Sequence, residues 1–145
     1  MFVSYIELHC HSAFSFLDGA SLPDELVAAA LELGYDALAL TDHDNVCGAM
    51  EFAQAARALG LRPIHGAEMT LDDGRHLTLL VEDERGWRNL CRLITRAHAH
   101  TRGDAAQPRT RPASPPRTRP ASPPSVPLEA VLAHAEGLVC LSGCA

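Results

Sequence analysis

Histidines and carboxylates of the metal-ligating kind recur at short intervals in this 145-residue chain, and each group follows a stretch that reads as a β-strand. His9 and His11 follow Tyr5 to His9 (YIELH), Asp42, His43 and Asp44 follow Asp36 to Thr41 (DALALT), Glu68 follows Arg62 to His65, and Cys144 follows Leu138 to Ser142 (LVCLS). In parallel α/β folds the C-terminal ends of the strands share one rim, so groups distant in sequence converge there on one site. His9 and His11 are two apart. On extended chain such residues point the same way, so both imidazoles can reach a common metal ion.

The elements that must position these groups alternate along the chain. After the first strand, Pro23, Asp24 and Glu25 form the first turn of a helix that Ser21 is placed to cap and Gly34 to end. Val46 to Leu59 repeats the helical pattern, with Gly60 as its stop. Asp72, Asp73 and Gly74 signal a turn, His76 to Val81 (HLTLLV) reads as a strand, and Gly86 to about Ala99 carries helical periodicity through Trp87, Leu90, Leu93 and Ile94. Leu128 to Ala135 reads as a further helix. Short strands separated by helices predict parallel βαβ units, and four or five in succession predict a barrel or a doubly wound sheet.

Residues 104–127 break the pattern with eight prolines and the tandem repeat RTRPASPP at 109–116 and 117–124. Such a segment has almost no apolar side chain to offset its ordering entropy, so a disordered, Pro/Arg-rich insertion is expected there. The chain ends where a βα loop is due, which leads us to expect a fold incomplete at its C-terminus.

The net charge of -6 conceals an asymmetry: residues 1–84 carry 3 Arg against 15 Asp or Glu, whereas 85–124 carry 9 Arg against Asp104 alone. An acid- and His-rich first half suits divalent cations rather than a nucleic-acid-gripping surface, and the Arg-rich stretch reads as a solvated face and linker. No apolar run approaches the ~18–20 residues of a membrane-spanning helix, and Glu7, His9 and His11 interrupt any signal-peptide pattern, so a cytoplasmic protein with no membrane partner is expected. Five cysteines (Cys10, Cys47, Cys91, Cys140, Cys144) at irregular spacing, with no CxxC pair, argue against a disulfide framework or a zinc ribbon.

LHCHSAFSFLDGAS at 8–21, ALTDHDNVCG at 39–48, PIHGAE at 63–68 and LSGC at 141–144, in that order, resemble the PHP family. The wording is similar to the PHP domain of bacterial C-family DNA polymerase alpha subunits, especially the error-prone branch. The resemblance covers nearly the whole chain apart from the Pro-rich insertion. It implies an α/β fold, the N-terminal portion of a distorted (β/α) barrel with parallel strands, spanning 1–145 as one domain.

It also implies metal ligands at His9, His11, Asp18, His43 and Glu68, with His76 and Cys144 at two further ligand positions; Glu68, His43 and Asp18 would carry the catalytic roles. A downstream Asp-x-His pair of the family lies beyond Ala145. Imidazoles mixed with carboxylates suit Zn²⁺, Mn²⁺ or Fe²⁺ better than Mg²⁺. Glu68 is the candidate bridging carboxylate, and the chemistry would be hydrolysis of a phosphoester by a metal-activated water. Asp42 and Asp44 read either as groups orienting His43 or another ligand, or as plain loop residues.

For the full-length protein the resemblance implies DNA as partner, the polymerase remainder in cis, and a role in replication or damage-tolerant synthesis; this stretch would contribute 3′-end trimming or only a stabilising metal site. The alternatives are a free-standing phosphoesterase acting on a small phosphate ester, similar to histidinol-phosphate phosphatases, and a metal-binding module without chemistry. His98 and His100 repeat the HxH spelling on a helix, where residues two apart diverge, and read as a solvated terminus. His65 is either pocket-lining or structural. Cys10, Cys47, Cys91 and Cys140 read as small core or near-site residues, and Trp87 with its leucines as core.

Overall fold

Two Gly-terminated helices and a hairpin set the frame of the computed structural model, which describes residues 5–101 and 123–142. Helix α1 (Pro23–Glu32) starts with proline at its first position, and the Glu25 carboxylate accepts the Leu22 N–H at 2.8 Å. That bond makes Leu22 the cap rather than the expected Ser21. Gly34 then turns the chain at φ +78° into β1 (Ala37–Leu40), every residue of which is buried. Helix α2 (Ala49–Leu59) begins three residues later than expected. Asn45 holds the preceding turn, its amide donating to Phe14 O and His43 O while its carbonyl takes the Cys47 N–H. Gly60 ends α2 in the left-handed region at φ +83°.

β2 (Arg62–Thr70) lies parallel to β1, with Ala37 opposite Arg62 and Leu40 opposite His65, and is more than twice as long as the expected Arg62–His65 strand. It turns back through Asp72–Gly74 into β3 (His76–Val81), which runs antiparallel to it with Thr70 opposite His76. After α3 (Glu84–Ala97) and α4 (Leu128–Ala133), β4 (Leu138–Ser142) pairs antiparallel with β3. The sheet order is β1-β2-β3-β4, so the sheet is mixed and not wholly parallel as expected. Apolar alternation at period two is the same in both kinds of ladder, and only the short turn at 72–74 distinguishes them.

Tyr5–His9 forms no full strand. It runs beside β1 with a single bridge from Glu7 to Leu38, because side chains capture the donors a ladder would use: Glu7 takes His9 N–H, and Thr41 Oγ1 takes Cys10 N–H.

The core falls into two clusters. Val27, Leu38, Leu40, Phe52 and Leu61 pack α1 and α2 on β1, while Met69, Leu79, Leu90, Leu93 and Val131 pack α3 and α4 on the hairpin. Val126 belongs to the second cluster at 0% exposure, and its backbone bonds to Thr70 O and to the Asp72 N–H. The expected disordered insertion therefore stops short of 127. Its stretch 104–122 lies outside the described residues. Among those described, no helix is long and apolar enough to cross a membrane.

Candidate metal centre

Backbone register brings the candidate ligands together. His43, two residues past Thr41, forms a parallel bridge with Glu68, secured by Glu68 N–H to Asp42 O at 3.1 Å and Asp44 N–H to Glu68 O at 2.8 Å. Glu68, Thr70, His76 and Thr78 lie on one face of the hairpin, since the pairs Glu68–Thr78 and Thr70–His76 are two apart on each strand. His76 opens its strand, yet because β3 is antiparallel its start lies level with the end of β2. That is why a residue at the head of a strand reaches a rim made of strand ends.

Glu68 sits at the centre with its side chain 4% exposed. Its Oε2 lies 3.0 Å from His9 Nε2 and 2.8 Å from His11 Nε2, and its Oε1 lies 3.1 Å from His76 Nδ1. His9 Nε2 and His11 Nε2 are themselves 3.2 Å apart. The ring of His43 meets that of His76 edge to face at 4.6 Å. Two groups capable of holding a metal ion result, His9–His11–Glu68 and His43–Glu68–His76, and they share the one carboxylate. Burial alone would raise the Glu68 carboxyl pKa; the His9 hydrogen bond and the positive character of His9, His11 and His43 outweigh it and hold the carboxyl below its ordinary value. Imidazole nitrogens gathered around one buried carboxylate are a donor set that fits a divalent cation of the zinc or manganese type.

The surrounding shell is built from residues the sequence only partly exposed. Asp18 stands outside both groups; its carboxylate engages Nδ1 of His11, on the ring edge away from Glu68, so the expected ligand here contacts a ligand. Asp44 Oδ2 lies 3.1 Å from His43 Nδ1 and accepts the Thr70 hydroxyl at 2.6 Å, while Oδ1 accepts the Thr70 N–H. Asp42, 1% exposed, accepts from Ser12 N–H, Ser12 Oγ and Ser15 Oγ, and Ser15 Oγ in turn accepts the His43 N–H. Asp42 thus ties the loop carrying His11 and Asp18 to the loop carrying His43. Ser12 and Ser15 were not singled out from sequence, where serines after a strand read as ordinary loop. Gly19 closes this loop where a Cβ would fall 2.0 Å from Ser12 O, so no other residue fits without moving backbone.

His98 corrects its expected reading as a solvated terminus: half-buried at the C-terminus of α3, its Nε2 donates to Asp44 O at 2.9 Å. His100 is exposed and bonds to Pro123 O. His65 lies on the opposite face of β2, between Phe52 and Trp87, away from the ligand cluster. Cys10 is half-buried between the two histidines of the HxH, and burial with the nearby Glu7 and Asp42 charges pushes its thiol up to about 11. Without a metal it is a thiol at neutral pH, and it belongs to neither of the two groups that could hold an ion. Cys10, Cys47, Cys91 and Cys140 are free, and Cys144 lies outside the described residues. His9, His11, Phe16, Leu17, Asp18, His43, Glu68 and His76 line one cleft of about 520 Å³.

The PHP domain model matches residues 7–145. The chain belongs to the PHP domain family. Within it, this PHP domain is 47% identical over 145 residues to an error-prone DNA polymerase of Symbiobacterium thermophilum, covering 98% of this chain and 13% of that one. It is 53% identical over 94 residues to an error-prone DNA polymerase of Pseudomonas fluorescens, covering 65% of this chain and 9% of the other. The chain thus spans about a tenth of the length of the curated relatives it matches. Two solved structures share the fold at a TM-score of 0.55, each covering 66% of this chain and 34% of its own: a protein described as a metal-dependent phosphoesterase from Bifidobacterium adolescentis, 28% identical, and an amidohydrolase from Chromobacterium violaceum, 32% identical, with bound sulfate.

Proposed function

We propose that this PHP domain holds divalent metal ions around Glu68 and hydrolyses phosphoesters, with the 3′ end of a DNA strand as substrate, as part of an error-prone C-family DNA polymerase. The observation that carries the reading is the sharing of one buried carboxylate by two imidazole pairs, His9 with His11 and His43 with His76.

Each side chain has a definable part. His9 and His11 present Nε2 to the site. Asp18 and Asp44, each on Nδ1 of its histidine, hold the ring in place and favour the tautomer that leaves Nε2 unprotonated. Glu68 offers one oxygen to each group, which keeps the two a carboxylate's width apart. Zn²⁺, Mn²⁺ or Fe²⁺ held there would polarise a phosphoryl oxygen and lower the pKa of a water poised for in-line attack.

Higher identity to polymerases than to the phosphoesterase neighbour supports polymerase context over a free-standing phosphatase. In that context the full-length protein acts on DNA in the cytoplasm, in damage-tolerant synthesis and repair, with the polymerase remainder in cis.

Mn²⁺- or Zn²⁺-loaded protein should release nucleotides from a 3′-recessed DNA end, and Glu68→Ala should abolish that release together with metal retention. Full metal retention with no hydrolysis of DNA ends or of phosphate esters would leave a stabilising metal site in its place.

A further inference from the structure

Ser12 to Gly19 forms a tight loop over the mouth of the cleft, and the two residues at its tip are the least expected for such a place. Phe16 is 86% exposed and Leu17 fully exposed, and both line the cleft with the four histidines. Asp18 N–H bonds to Ser15 O at 3.0 Å, which makes Phe16 and Leu17 the central pair of a β-turn. Leu17 takes φ +71° at the third position, where glycine or asparagine is usual and a bulky side chain is an outlier.

The turn cannot relax easily. Ser15 is bound through its hydroxyl to buried Asp42, Asp18 is bound to His11, and Gly19 N–H also bonds to Ser15 O. Two large apolar residues are therefore held rigidly in solvent, one of them in an unfavourable backbone region, and neither joins the hydrophobic core. Strain of this kind, maintained by surrounding bonds at the edge of a site, points to a task in that site.

We propose that Phe16 and Leu17 form a substrate-selecting rim that stacks against the nucleobase of a nucleotide whose phosphate lies at the Glu68 group. The inference rests on the phosphoester reading and adds the class of group attached to the phosphate. A sugar phosphate offers an aromatic ring only a weaker C–H face and histidinol phosphate only a small imidazole, whereas every nucleotide carries a broad flat base, one sugar away from its phosphate, whatever that base is. Aromatic platforms of this sort bind nucleic acid without regard to sequence, in keeping with an end-trimming activity that must accept every base. A cleft of about 520 Å³ is of the size that encloses a small ligand.

The test compares two probes, thymidine 5′-monophosphate and inorganic phosphate, titrated calorimetrically into the full chain loaded with Mn²⁺. The nucleotide should bind about tenfold more tightly than phosphate, the size of one base–aromatic stack. Phe16→Ala should remove that preference, Phe16→Trp should keep it, and Leu17→Gly should weaken nucleotide binding while raising the melting midpoint by relieving φ. Phosphate affinity and metal content should be the same in all three. Equal binding of the two probes, or a preference that survives both Phe16→Ala and Leu17→Gly, would overturn the rim while leaving the phosphate site standing. Failure of the loaded protein to bind either probe would remove the phosphoester reading, and the rim with it.

Discussion

Asp44 Oδ2 accepts the Nδ1–H of His43 at 3.1 Å, and Thr70 and His98 in turn hold Asp44, the first through two hydrogen bonds to its carboxylate and the second through its backbone carbonyl. His43 is therefore oriented by three elements: the end of β1, the end of β2 and the C-terminus of α3. Removing the acceptor while keeping the shape should show what this is worth. Asp44→Asn is expected to lower metal affinity about 10- to 100-fold, the usual size for the loss of a carboxylate behind a ligating histidine. His98→Ala should give a smaller loss in the same direction, read by elemental analysis after equilibrium dialysis. Unchanged metal content in Asp44→Asn would mean that His43 needs no partner.

Asp42 serves geometry in a different way, as a buried carboxylate around which Ser12 and Ser15 assemble the first loop. Asp42→Ala leaves the Ser12 N–H and two hydroxyls without their acceptor, at a cost of about 1–3 kcal/mol for each donor that finds no replacement. A lowered thermal midpoint should accompany poorer metal retention, because His11 and Asp18 lie on the loop it holds. A fall in midpoint with metal binding intact would separate the two roles and count against the coupling.

How much of this could be read beforehand differs by interaction type. The strand His76–Val81 and the strand Leu138–Ser142 appear in the structure with their expected limits, since each is a short apolar run between breakers. The convergence of His9, His11, His43 and Glu68 was expected from placing ligand-type residues after strands, although His9 ends an extended segment that is no full strand and Glu68 lies within β2 rather than after it. What stayed hidden depends on pairing partners. Strand direction was one such feature, and the length of β2 beyond His65 was another, because Gly66-Ala67-Glu68 has no strand-like alternation and becomes a strand only by hydrogen bonding to β3. The roles of Ser12, Ser15, Thr70 and His98 are set entirely by tertiary contact. His98 in particular sits more than 50 residues from Asp44, and nothing in its local sequence separates it from exposed His100.

Deleting 109–124 should leave the circular dichroism spectrum and the melting midpoint nearly unchanged, because its sequence has almost no apolar side chain to bury and closure entropy changes only slowly with the length of a connection. Val126→Ala, only two residues beyond the second repeat, should by contrast cost about 1.5–3 kcal/mol, the value of a fully buried aliphatic side chain. A deletion that melts far below the parent would show that the repeats are structural.

His65 carries a pH signature. Among the described residues its Nδ1 is buried without a hydrogen-bond partner, and burial lowers its pKa from the ordinary 6.5. The unfolded chain therefore takes up the proton at higher pH than the folded one. Stability due to this residue is full above about pH 6.5, falls as pH drops from there through the folded pKa, and is constant below it. His65→Phe keeps a ring between Phe52 and Trp87 and removes the titration. The gap in melting midpoint between variant and parent should widen in favour of the variant on going from pH 7.5 to pH 5.5. A constant gap would place the titration elsewhere.

Metal stoichiometry offers the sharpest check on the centre, because the two groups share Glu68 and nothing else. If each holds an ion, loss of a ligand unique to one group should remove one ion and spare the other. His9→Ala should empty the first group and leave the second, whose atoms His43, Glu68 and His76 are untouched. His76→Ala should do the converse, since its Nδ1 faces Oε1 of Glu68 whereas His9 and His11 face Oε2. Glu68→Ala removes one oxygen from each, and with it the near-fully buried carboxylate that both groups share. Both ions should then be lost together. Replacement by Gln keeps the volume and one oxygen but removes the negative charge, so Glu68→Gln should retain the fold and still bind metal poorly. Metal per chain, measured after dialysis against each of Zn²⁺ and Mn²⁺, should therefore fall by the same single step in His9→Ala and His76→Ala and by the whole in Glu68→Ala. Should His9→Ala and His76→Ala each abolish all binding, the four histidines would be serving one ion. Should Glu68→Ala keep the full complement with the circular dichroism spectrum unchanged, the carboxylate would not be the shared ligand, and the centre would have to be rebuilt around the histidines alone.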